Sequence, residues 1–447
     1  MPHLMPCIYS HNTWGGIEKW LIELVTHLRS EGWEITIGLA RGQVHNDPQA
    51  FRNAYPGFSY VEFDGRVGTR HARVESVMRE LRRVRPDIVV PLGVVEAFGA
   101  AEAIKREGVP LRVVATLHTL LPEAFADVRE FAPFLDLCVA VNPVQYRFLS
   151  AQEEFTRDQL RCVPHGISSS NCESRRDSTG SLRLVYAGRL AMTQKRVLDS
   201  VDLVAELESL GVDFKLSFAG SGPAEQELKQ ALKTSVDSGK VSFLGYQPHD
   251  TLLDVIFPAH EVLLIFSDEE AGPLVMLEAM SKGVVPVSSE FIGVHSQGWL
   301  QPEESGLLFP VGDSSSAARC IQKLAVDRQL LNLLSSNARS LASDVSLKKS
   351  NDQWNRVLLE LLEKPVVYPP STFRSPFAQQ NPAGRIERLG LSPRIANRLR
   401  QALGRKPHFQ NGWEEWPGTL SSVGASGRAA MLDELRRLDR AAQLSYR

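Results

Sequence analysis

Two acidic residues beside a Gly-Pro turn are the strongest chemical signal in the sequence. Glu270 and Glu278 have seven residues between them, and the helical run LVMLEAM (274–280) opens after the turn. Carboxylate oxygens accept hydrogen bonds from hydroxyl groups, and the free N–H groups of Leu274 and Val275 at a helix start favour a phosphate. The segment predicts a site for a hydroxyl-rich, phosphate-bearing ligand. The alternative is that Glu270 caps the helix and Glu278 is a solvated helix residue.

Two cations follow an earlier apolar run. In YAGRLAMTQKRVLD (186–199) a predicted strand ends at Gly188, and Arg189 and Lys195 come next, six residues apart. Ligands of open α/β sheets bind at the carboxyl ends of strands. A guanidinium and an ammonium there are able to neutralise a diphosphate together. The alternative is a pair of solvated surface cations.

A third candidate anion site is the pair Gly15 and Gly16 in HNTWGGIEKW (11–20). Glycine lets the backbone approach a ligand closely, and the N-terminus of the following helix suits a phosphate. The alternative is an ordinary turn. The spacing is not G-x-G-x-x-G, so a dinucleotide site of the Rossmann type is not supported.

Short apolar runs alternate with amphipathic stretches and predict the elements that position these residues. The runs are EITIGLA (34–40), DIVVPLG (87–93), RVVATLH (112–118), LDLCVAV (135–141), LRLVYAG (182–188), FKLSFAG (214–220), KVSFLG (240–245) and EVLLIFS (261–267). They are apolar on both faces, as in parallel strands buried under helices. Helices are predicted at 17–32 and 197–211, so the fold class is α/β with doubly wound sheets.

Breaks in this alternation predict the domain organisation. A polar, Gly/Ser-rich stretch at 166–181 marks a linker between two α/β units. We expect an N-terminal domain over 1–168, a C-terminal domain over 180–345 and a closing helix over 346–364. Residues 365–447 form a basic extension, with thirteen Lys and Arg against six Asp and Glu from Val366 onward, and with helices predicted at 393–403 and 427–442.

Composition narrows the class of protein. The formal net charge of −2 over 447 residues gives no general attraction to nucleic acid. Five scattered cysteines without a C-x-x-C pair predict reduced thiols and no zinc site. The N-terminus shows no signal-peptide pattern, and no apolar stretch is long enough to span a bilayer. We therefore expect a cytoplasmic protein whose membrane contact, if any, is peripheral.

Taken together, the motifs resemble the retaining GT-B glycosyltransferases of family four over about residues 8–364. The matching segments are GGIE (15–18), VPHGI (163–167), GRL…K (188–195), AGSGP (219–223), FLGY (243–246), E-x7-E (270–278) and GLLFPVGD (306–313). The resemblance implies two facing Rossmann-like domains with a nucleotide diphosphate sugar held mostly by the second. The extension beyond residue 365 is not covered by it.

The resemblance also implies roles for individual residues. Arg189 and Lys195 hold the donor diphosphate, Glu278 binds the ribose hydroxyls, and Glu270 contacts the transferred sugar. The implied further donor contacts are Gly15 and Gly16, the N–H groups of Leu274 and Val275, and Gly245 in FLGY beside the nucleobase. His118, at a strand end in ATLHT, matches the family's histidine near the reacting sugar. Without the resemblance, a single histidine at a strand end is more often structural.

The chemistry implied is sugar transfer with retention of anomeric configuration. Fixed cations and helix N-termini stabilise the leaving diphosphate, so neither a metal nor a cofactor is expected, and no Asp-x-Asp motif is placed as metal-dependent transferases require. Three features depart from the family pattern: His165 replaces the usual Asn, Gly272 replaces a bulkier residue and opens space near the donor sugar, and the loop at 288–298 differs. These departures affect the identity of the sugar.

The acceptor, a glycan or a lipid-linked sugar, is expected on the N-terminal domain. The stretch at 66–86 carries seven arginines that would meet a lipid phosphate if exposed; the alternative is a solvated helix. In the extension, Trp413 and Trp416 either stack on sugars or pack the extension onto the body, and packing is the simpler reading.

Two other functions fit the same residues. A nucleotide-sugar epimerase of the same fold would share the phosphate-binding groups and would need no acceptor. A non-catalytic scaffold would act through the basic extension, although the presence of Arg189, Lys195, Glu270 and His118 together argues against lost catalysis.

Overall fold

The computed structural model describes residues 1–11, 15–66, 69–168, 180–379 and 412–445, together with positions 395 and 399. All eight apolar runs that the sequence singles out form strands, with ends that differ from the prediction by no more than two residues. Five further strands join them, so the α/β prediction is confirmed.

The N-terminal sheet has seven parallel strands in the order β3-β2-β1-β4-β5-β6-β7. Its strands are β1 (His3–Ile8), β2 (Glu34–Arg41), β3 (Ser59–Asp64), β4 (Ile88–Leu92), β5 (Arg112–Leu117), β6 (Leu137–Ala140) and β7 (Leu160–Cys162). In β1, β4 and β6 nearly every residue is buried. Helices therefore cover both faces of this sheet, which explains why its strands are apolar throughout rather than alternating.

The C-terminal sheet has six parallel strands in the order β10-β9-β8-β11-β12-β13. Its strands are β8 (Leu182–Ala187), β9 (Phe214–Ala219), β10 (Val241–Gly245), β11 (Val262–Ile265), β12 (Val285–Ser289) and β13 (Leu307–Phe309). Two apolar clusters, one on each side of the sheet, bury its strands against the surrounding helices. In both sheets the chain starts at a central strand, builds outward, and then returns to the other side of that strand.

Helices connect the strands in the described ranges. They are α1 (Gly16–Ser30), α2 (Pro48–Ala54), α3 (Arg70–Val84), α4 (Glu96–Arg106), α5 (Pro122–Phe131), α6 (Pro143–Ser150), α7 (Asp199–Ser209), α8 (Glu225–Ala231), α9 (Lys233–Asp237), α10 (His249–Thr251), α11 (Phe257–Ala259), α12 (Leu274–Ser281), α13 (Val294–Gln297), α14 (Ser314–Val326), α15 (Arg328–Asp344), α16 (Leu347–Leu362), α17 (Pro376–Gln379), α18 (Gly412–Glu415) and α19 (Ala425–Ser445). Short 3₁₀ turns lie at Ala132–Phe134 and Arg157–Gln159, and a π-turn at Leu252–Ile256.

The chain forms two compact units that do not follow simple chain order. The N-terminal unit comprises residues 1–141, 149–163 and 351–429, and the C-terminal unit comprises 142–148, 164–350 and 430–447. The chain therefore returns to the first unit through α16, whose Trp354 and Leu358 are buried in the core of the N-terminal sheet. The closing helix predicted at 346–364 is present with nearly those bounds.

The extension is partly described. The helix predicted at 427–442 is present as the longer α19. The helix predicted at 393–403 falls outside the described residues except for positions 395 and 399, as does most of the predicted linker at 166–181. Within the described ranges, none of the helices is both long and apolar enough to cross a bilayer.

Candidate active site

The candidate donor site lies at the carboxyl ends of β8 and β11, which are neighbours at the centre of the C-terminal sheet. From β8 the chain moves outward through β9 and β10, and from β11 it moves outward the other way. The loops that follow β8 and β11 therefore diverge at a topological switch point, where open α/β sheets bind their ligands. Arg189 and Lys195 lie in the first loop, and Glu270 lies in the second.

Lys195 and Glu270, predicted separately, are in direct contact. The Nζ atom of Lys195 lies 2.5 Å from Oε1 of Glu270, which also accepts a hydrogen bond of 2.7 Å from the Ser267 hydroxyl. Only 6% of Glu270 is exposed, whereas Lys195 is half-buried. The buried carboxylate therefore holds the ammonium group in one position while leaving part of it open to a ligand. Sequence spacing cannot show this pair, because the two residues are 75 positions apart.

The backbone on both sides of Lys195 is held in an unfavourable conformation. Gln194 has φ of 69° and Arg196 has φ of 48°, in the left-handed region that costs a non-glycine residue about 1 kcal/mol or more. The Arg196 guanidinium pairs with Asp199 at 2.8 Å, and the Gln194 carbonyl accepts the Asp268 N–H at 2.9 Å. These contacts offset part of the strain. The position of Lys195 is therefore fixed, and the remaining strain lowers the stability of the fold. Such strain is typical of functional loops.

Arg189 is exposed at the start of the same loop. Its carbonyl oxygen accepts a hydrogen bond of 2.9 Å from the Tyr186 hydroxyl, which fixes the backbone from which the guanidinium projects. Burial, and then the nearby charge of Glu270, raise the pKa of Tyr186, while Arg189 opposes the rise. Tyr186 therefore stays neutral and acts as a hydrogen-bond donor that fixes the start of the Arg189 loop.

Glu278 is held by a residue that the sequence reasoning missed. His249 in α10, just after β10, has its Nε2 atom 2.8 Å from Oε1 of Glu278. Glu278 is 6% exposed, so the alternative of a solvated helix residue is wrong. The local signal was QPHD, immediately after FLGY, where a histidine follows a strand end. Gly245 itself ends β10 with φ of 69°, a conformation that glycine adopts without strain.

The N-terminus of α12 is open to a ligand. The helix begins at Leu274 after Pro273, and no side chain caps it. Glu270 lies in the preceding loop, so the alternative that it caps α12 is wrong. The N–H groups of Leu274 and Val275 thus remain at a helix start with its partial positive charge. With Arg189 and Lys195, this terminus places positive charge at the switch point from both loops.

The space expected at Gly272 is occupied. A Cβ atom on Gly272 would lie 2.9 Å from Nε2 of Gln297, 3.2 Å from Cδ2 of His165 and 3.3 Å from Cη2 of Trp299. The expectation that Gly272 opens room around the donor sugar is therefore wrong. The unusual residues at 165, 272 and 297 pack against one another, and Gln297 fixes the loop by donating to the Ala271 carbonyl at 2.6 Å. Burial lowers the pKa of His165 to about 4.

The other predicted site residues lie in the N-terminal unit. Gly15 is the N-cap residue of α1, and Gly16 is its first residue, with open space where a Cβ would be. His118 follows β5. Its ring lies 4.3 Å from that of Trp20, and its Nε2 atom lies 2.9 Å from the Thr116 hydroxyl. These contacts position the His118 ring after the strand, and the Gly15–Gly16 turn opens a helix.

The arginine-rich stretch is neutralised by acids. Arg73 is buried and pairs with Glu96 at 2.6 Å, and Arg82 pairs with Glu107 at 2.5 Å. Two more arginines of α3 flank Glu80. The arginines that would meet a lipid phosphate if exposed are thus largely held in ion pairs, which weakens their attraction to it.

Two family models match the chain, one on each unit. The model described as "Glycosyltransferase Family 4" matches residues 14–171, and the model described as "Glycosyl transferases group 1" matches residues 181–327. The chain belongs to the family 4 glycosyltransferases. The donor-site loops fall within the second match, and Gly15, Gly16 and His118 fall within the first.

Curated relatives of this glycosyltransferase are identical to it at about a quarter of the aligned positions. It is 27% identical over 252 residues to N-acetyl-alpha-D-glucosaminyl L-malate synthase of Bacillus anthracis, covering 56% of this chain and 60% of the relative. It is 22% identical over 263 residues to lipopolysaccharide 1,6-galactosyltransferase of Escherichia coli K12, covering 57% of this chain and 70% of the relative. The chain spans between about a quarter and three fifths of the length of the first relatives it matches.

Solved structures show the same fold. The Anabaena protein HepE, in complex with UDP and glucose, aligns with a TM-score of 0.64 at 18% identity, covering 80% of this chain and 99% of that one. The glycosyltransferase thus has the GT-B architecture, two Rossmann-like domains with parallel sheets, plus a helical C-terminal extension. The predicted family and fold class are confirmed.

Proposed function

We propose that this glycosyltransferase moves a sugar from a nucleotide diphosphate sugar to an acceptor with retention of configuration and without a metal. The observation that carries the proposal is the Lys195–Glu270 pair at the switch point between β8 and β11, beside the uncapped start of α12. Lys195, Arg189 and the Leu274 and Val275 N–H groups together supply fixed positive charge. That charge stabilises the diphosphate as it leaves.

The acids take the hydroxyl groups of the donor. Glu278, oriented by His249 at 2.8 Å, accepts hydrogen bonds from the ribose. Glu270, oriented by Lys195 and Ser267, contacts the transferred sugar. Gly245 at the end of β10 lies at the same sheet edge and is assigned to the nucleobase. We assign His118, Gly15 and Gly16 to the reaction from the family resemblance.

Retention follows from the proposed course of reaction. The bond from the anomeric carbon to the diphosphate oxygen breaks as the acceptor oxygen attacks from the same face. The departing diphosphate oxygen takes the acceptor proton, so no separate base is required. The protein supplies positioning and charge rather than a covalent intermediate.

We further propose that the acceptor is a glycan or a lipid-linked sugar of cell-surface synthesis, used on the cytoplasmic face of the membrane. The name of the Escherichia coli relative, a lipopolysaccharide galactosyltransferase, supports this class of acceptor. The paired arginines of α3 offer little to a lipid phosphate, so any membrane contact would be peripheral and weak.

The test is a transfer reaction in excess EDTA with UDP-, GDP-, ADP- and dTDP-sugars and a panel of octyl glycosides. We expect one donor to yield product, with the anomeric configuration of the donor as read by NMR coupling constants. Lys195→Ala should lower the rate of product formation. Its matched control is Lys215→Ala, which removes an exposed lysine of β9. Inverted product, or a strict need for a divalent cation, would contradict the proposal. Conversion of a nucleotide sugar to its epimer without any acceptor would indicate an epimerase instead.

A further inference from the structure

One described segment of the extension lies across the carboxyl ends of strands in the N-terminal sheet. We call residues 412–418 the tail segment. Trp416 packs beside Gly65 after β3, Glu415 beside Gly42 after β2, and Trp413 beside Tyr9 after β1. These three strands are consecutive in the sheet. The tail segment thus follows the edge at which an open α/β sheet binds ligands.

Glu415 anchors the tail segment in a ring of backbone donors. The N–H groups of Val44, His45 and Asn46 donate to its carboxylate at 2.9, 3.1 and 2.9 Å, and the Gln43 N–H donates as well. Burial alone would raise the pKa of Glu415, but these donors hold it below its usual range. A concave arrangement of N–H groups is an anion-binding nest, and here the chain's own carboxylate fills it.

Two glycines that follow β2 and β3 let the tail segment lie close to the N-terminal sheet. A Cβ atom at Gly42 would lie 1.8 Å from Oε2 of Glu415, and one at Gly65 would lie 2.5 Å from the Trp416 indole. Trp416 is fully buried and donates its Nε1–H to the Arg41 carbonyl at 3.2 Å. A larger residue at either position would clash with the Glu415 carboxylate or with the Trp416 indole. Docking of the tail segment is therefore part of the folded N-terminal unit.

Trp413 differs from Trp416 because 43% of it is exposed. One edge of its indole is fixed, with ring centroids 4.6 Å from Tyr9 and 5.1 Å from His11, and it also lies against Gly418. The His11 ring is fixed in turn by Asn46, whose Oδ1 atom lies 3.3 Å from Nδ1. The result is a rigid aromatic surface, open to solvent on one side, at the ends of β1 and β4.

We propose that Trp413 is an acceptor-binding residue that stacks on a pyranose ring of the acceptor. This inference rests on the proposed function and deepens it by assigning carbohydrate recognition to the extension. A pre-positioned indole offers a large apolar face at little entropic cost, and the C–H face of a pyranose matches it in size and polarity. Glu415 and Trp416 act as positioning residues that hold Trp413 at the sheet edge.

The alternative is that the tail segment covers the edge and blocks it. A segment that only covers the edge would turn its apolar groups inward, as Trp416 does. The partly exposed indole beside buried Tyr9 instead favours a contact surface. The experiment below separates the two, because removal of a block raises activity and removal of a contact lowers it.

The test uses the full chain, its preferred nucleotide sugar, and octyl glucosides, galactosides, mannosides and N-acetylglucosaminides as probe acceptors. Release of nucleoside diphosphate is measured with and without each glycoside. We expect Trp413→Ala to raise KM for the best glycoside about tenfold, as expected for loss of one stacking contact. Glycoside-independent donor hydrolysis should stay within about twofold of wild type.

Three further variants keep the test interpretable. Trp413→Phe retains a flat ring and should recover most of the affinity. Trp413→Leu retains apolar packing on Tyr9 without a stacking face, and serves if the alanine variant is unstable. Tyr368→Ala, at 45% exposure, is the matched control and should change nothing.

Several results would overturn the inference while leaving the donor site intact. They are an unchanged KM in both Trp413→Ala and Trp413→Leu, a higher glycoside-dependent rate in either variant, or a wild-type chain that hydrolyses its donor with no response to any glycoside. A wild-type chain that neither transfers nor hydrolyses any nucleotide sugar would overturn the proposed function itself, and this inference with it.

Discussion

The two sheets have the same kind of topology, yet their carboxyl edges are built differently. The edge of the C-terminal sheet carries charged side chains on loops, with Lys195 and Glu270 in contact and Arg189 exposed. The edge of the N-terminal sheet is lined by the chain's own tail segment, with Trp413 exposed and Glu415 buried in a ring of N–H groups. One edge suits an ion and the other suits an apolar ring face.

The comparison shows how one architecture can present two chemically different edges. A doubly wound sheet offers the same kind of edge wherever its strand order reverses, so specificity must come from what the loops and added segments bring there. In the C-terminal sheet the local loops suffice for the proposed diphosphate, because it needs fixed positive charge. In the N-terminal sheet the aromatic surface comes from residues more than 300 positions later in the chain.

The largest expected effect tests the charged edge. Lys195→Ala removes an ammonium group from the diphosphate and leaves the buried Glu270 carboxylate without its ion pair. We expect kcat to fall at least about a hundredfold, as for the loss of one oxyanion-stabilising group. Steady-state kinetics with the preferred donor measure it, with Lys215→Ala as the control. A variant that kept more than about a third of wild-type kcat would show that the leaving group is stabilised elsewhere.

The next effect concerns a buried group beneath the charged edge. His165 has its folded-state pKa lowered to about 4 by burial. Folding favours the neutral form of His165. The resulting stabilisation of the folded state is therefore complete above the unfolded-state pKa of about 6.5 and is lost as pH falls towards 4. The free energy of unfolding should fall by about 3 kcal/mol over this pH range, at 1.36 kcal/mol per pKa unit.

Chemical denaturation of wild type and His165→Asn between pH 4 and 7 measures this effect. Asn carries no titrating group, so the variant should lose that part of the pH dependence. His27→Asn, which makes the same replacement at a half-buried histidine of α1, is the comparison variant. An identical pH dependence in wild type and His165→Asn would show that His165 is accessible to protons in the folded state.

A third effect tests the aromatic edge. Glu415→Gln keeps the size of the side chain and removes the charge that accepts four backbone N–H groups. We expect the docked tail segment to be weakened by about 2 kcal/mol, typical of hydrogen bonds to a charged group. Hydrogen exchange at the amides of residues 43–46 reports it directly, with Glu414→Gln, the exposed neighbour, as the control. Equal protection in both variants would mean that the nest does not hold the tail segment.

The smallest expected effect concerns the affinity for the donor. Glu278→Gln keeps one acceptor oxygen for His249 but loses the charge that binds ribose hydroxyls. We expect the donor Kd to rise about tenfold, or 1.4 kcal/mol, while kcat changes little. Binding calorimetry with the preferred nucleotide sugar measures it against Glu227→Gln on α8. An unchanged Kd would show that Glu278 does not bind the ribose.

Local pattern was enough to predict eight of the thirteen strands in the two sheets. Apolar runs such as DIVVPLG and LDLCVAV are short and apolar on both faces, and each forms a buried parallel strand. The predicted ends of β8 and β11 located Arg189 and Glu270, because the residues of a loop directly follow the strand in the sequence. The same reasoning placed Glu270 in a loop and Glu278 in a helix, as the structure has them.

The partners of those residues were not predictable, because they depend on contacts between distant parts of the chain. His249 reaches Glu278 across 29 positions, and Glu415 reaches Asn46 across 369. The space at Gly272 was misjudged for the same reason, since His165 and Gln297 fill it from other parts of the chain. In the extension, WEEW has no periodicity from which docking is readable, and the glycines at 42 and 65 that allow its close approach lie far away in the sequence.

The most direct measurement is calorimetric titration of the full chain with UDP, GDP, ADP and dTDP in excess EDTA, repeated with Arg189→Ala/Lys195→Ala. The account expects one nucleoside diphosphate to bind wild type, with an affinity that EDTA does not reduce, and to bind the double variant at least about a hundredfold more weakly. Equal binding by the double variant would contradict the claim that these two cations hold the diphosphate.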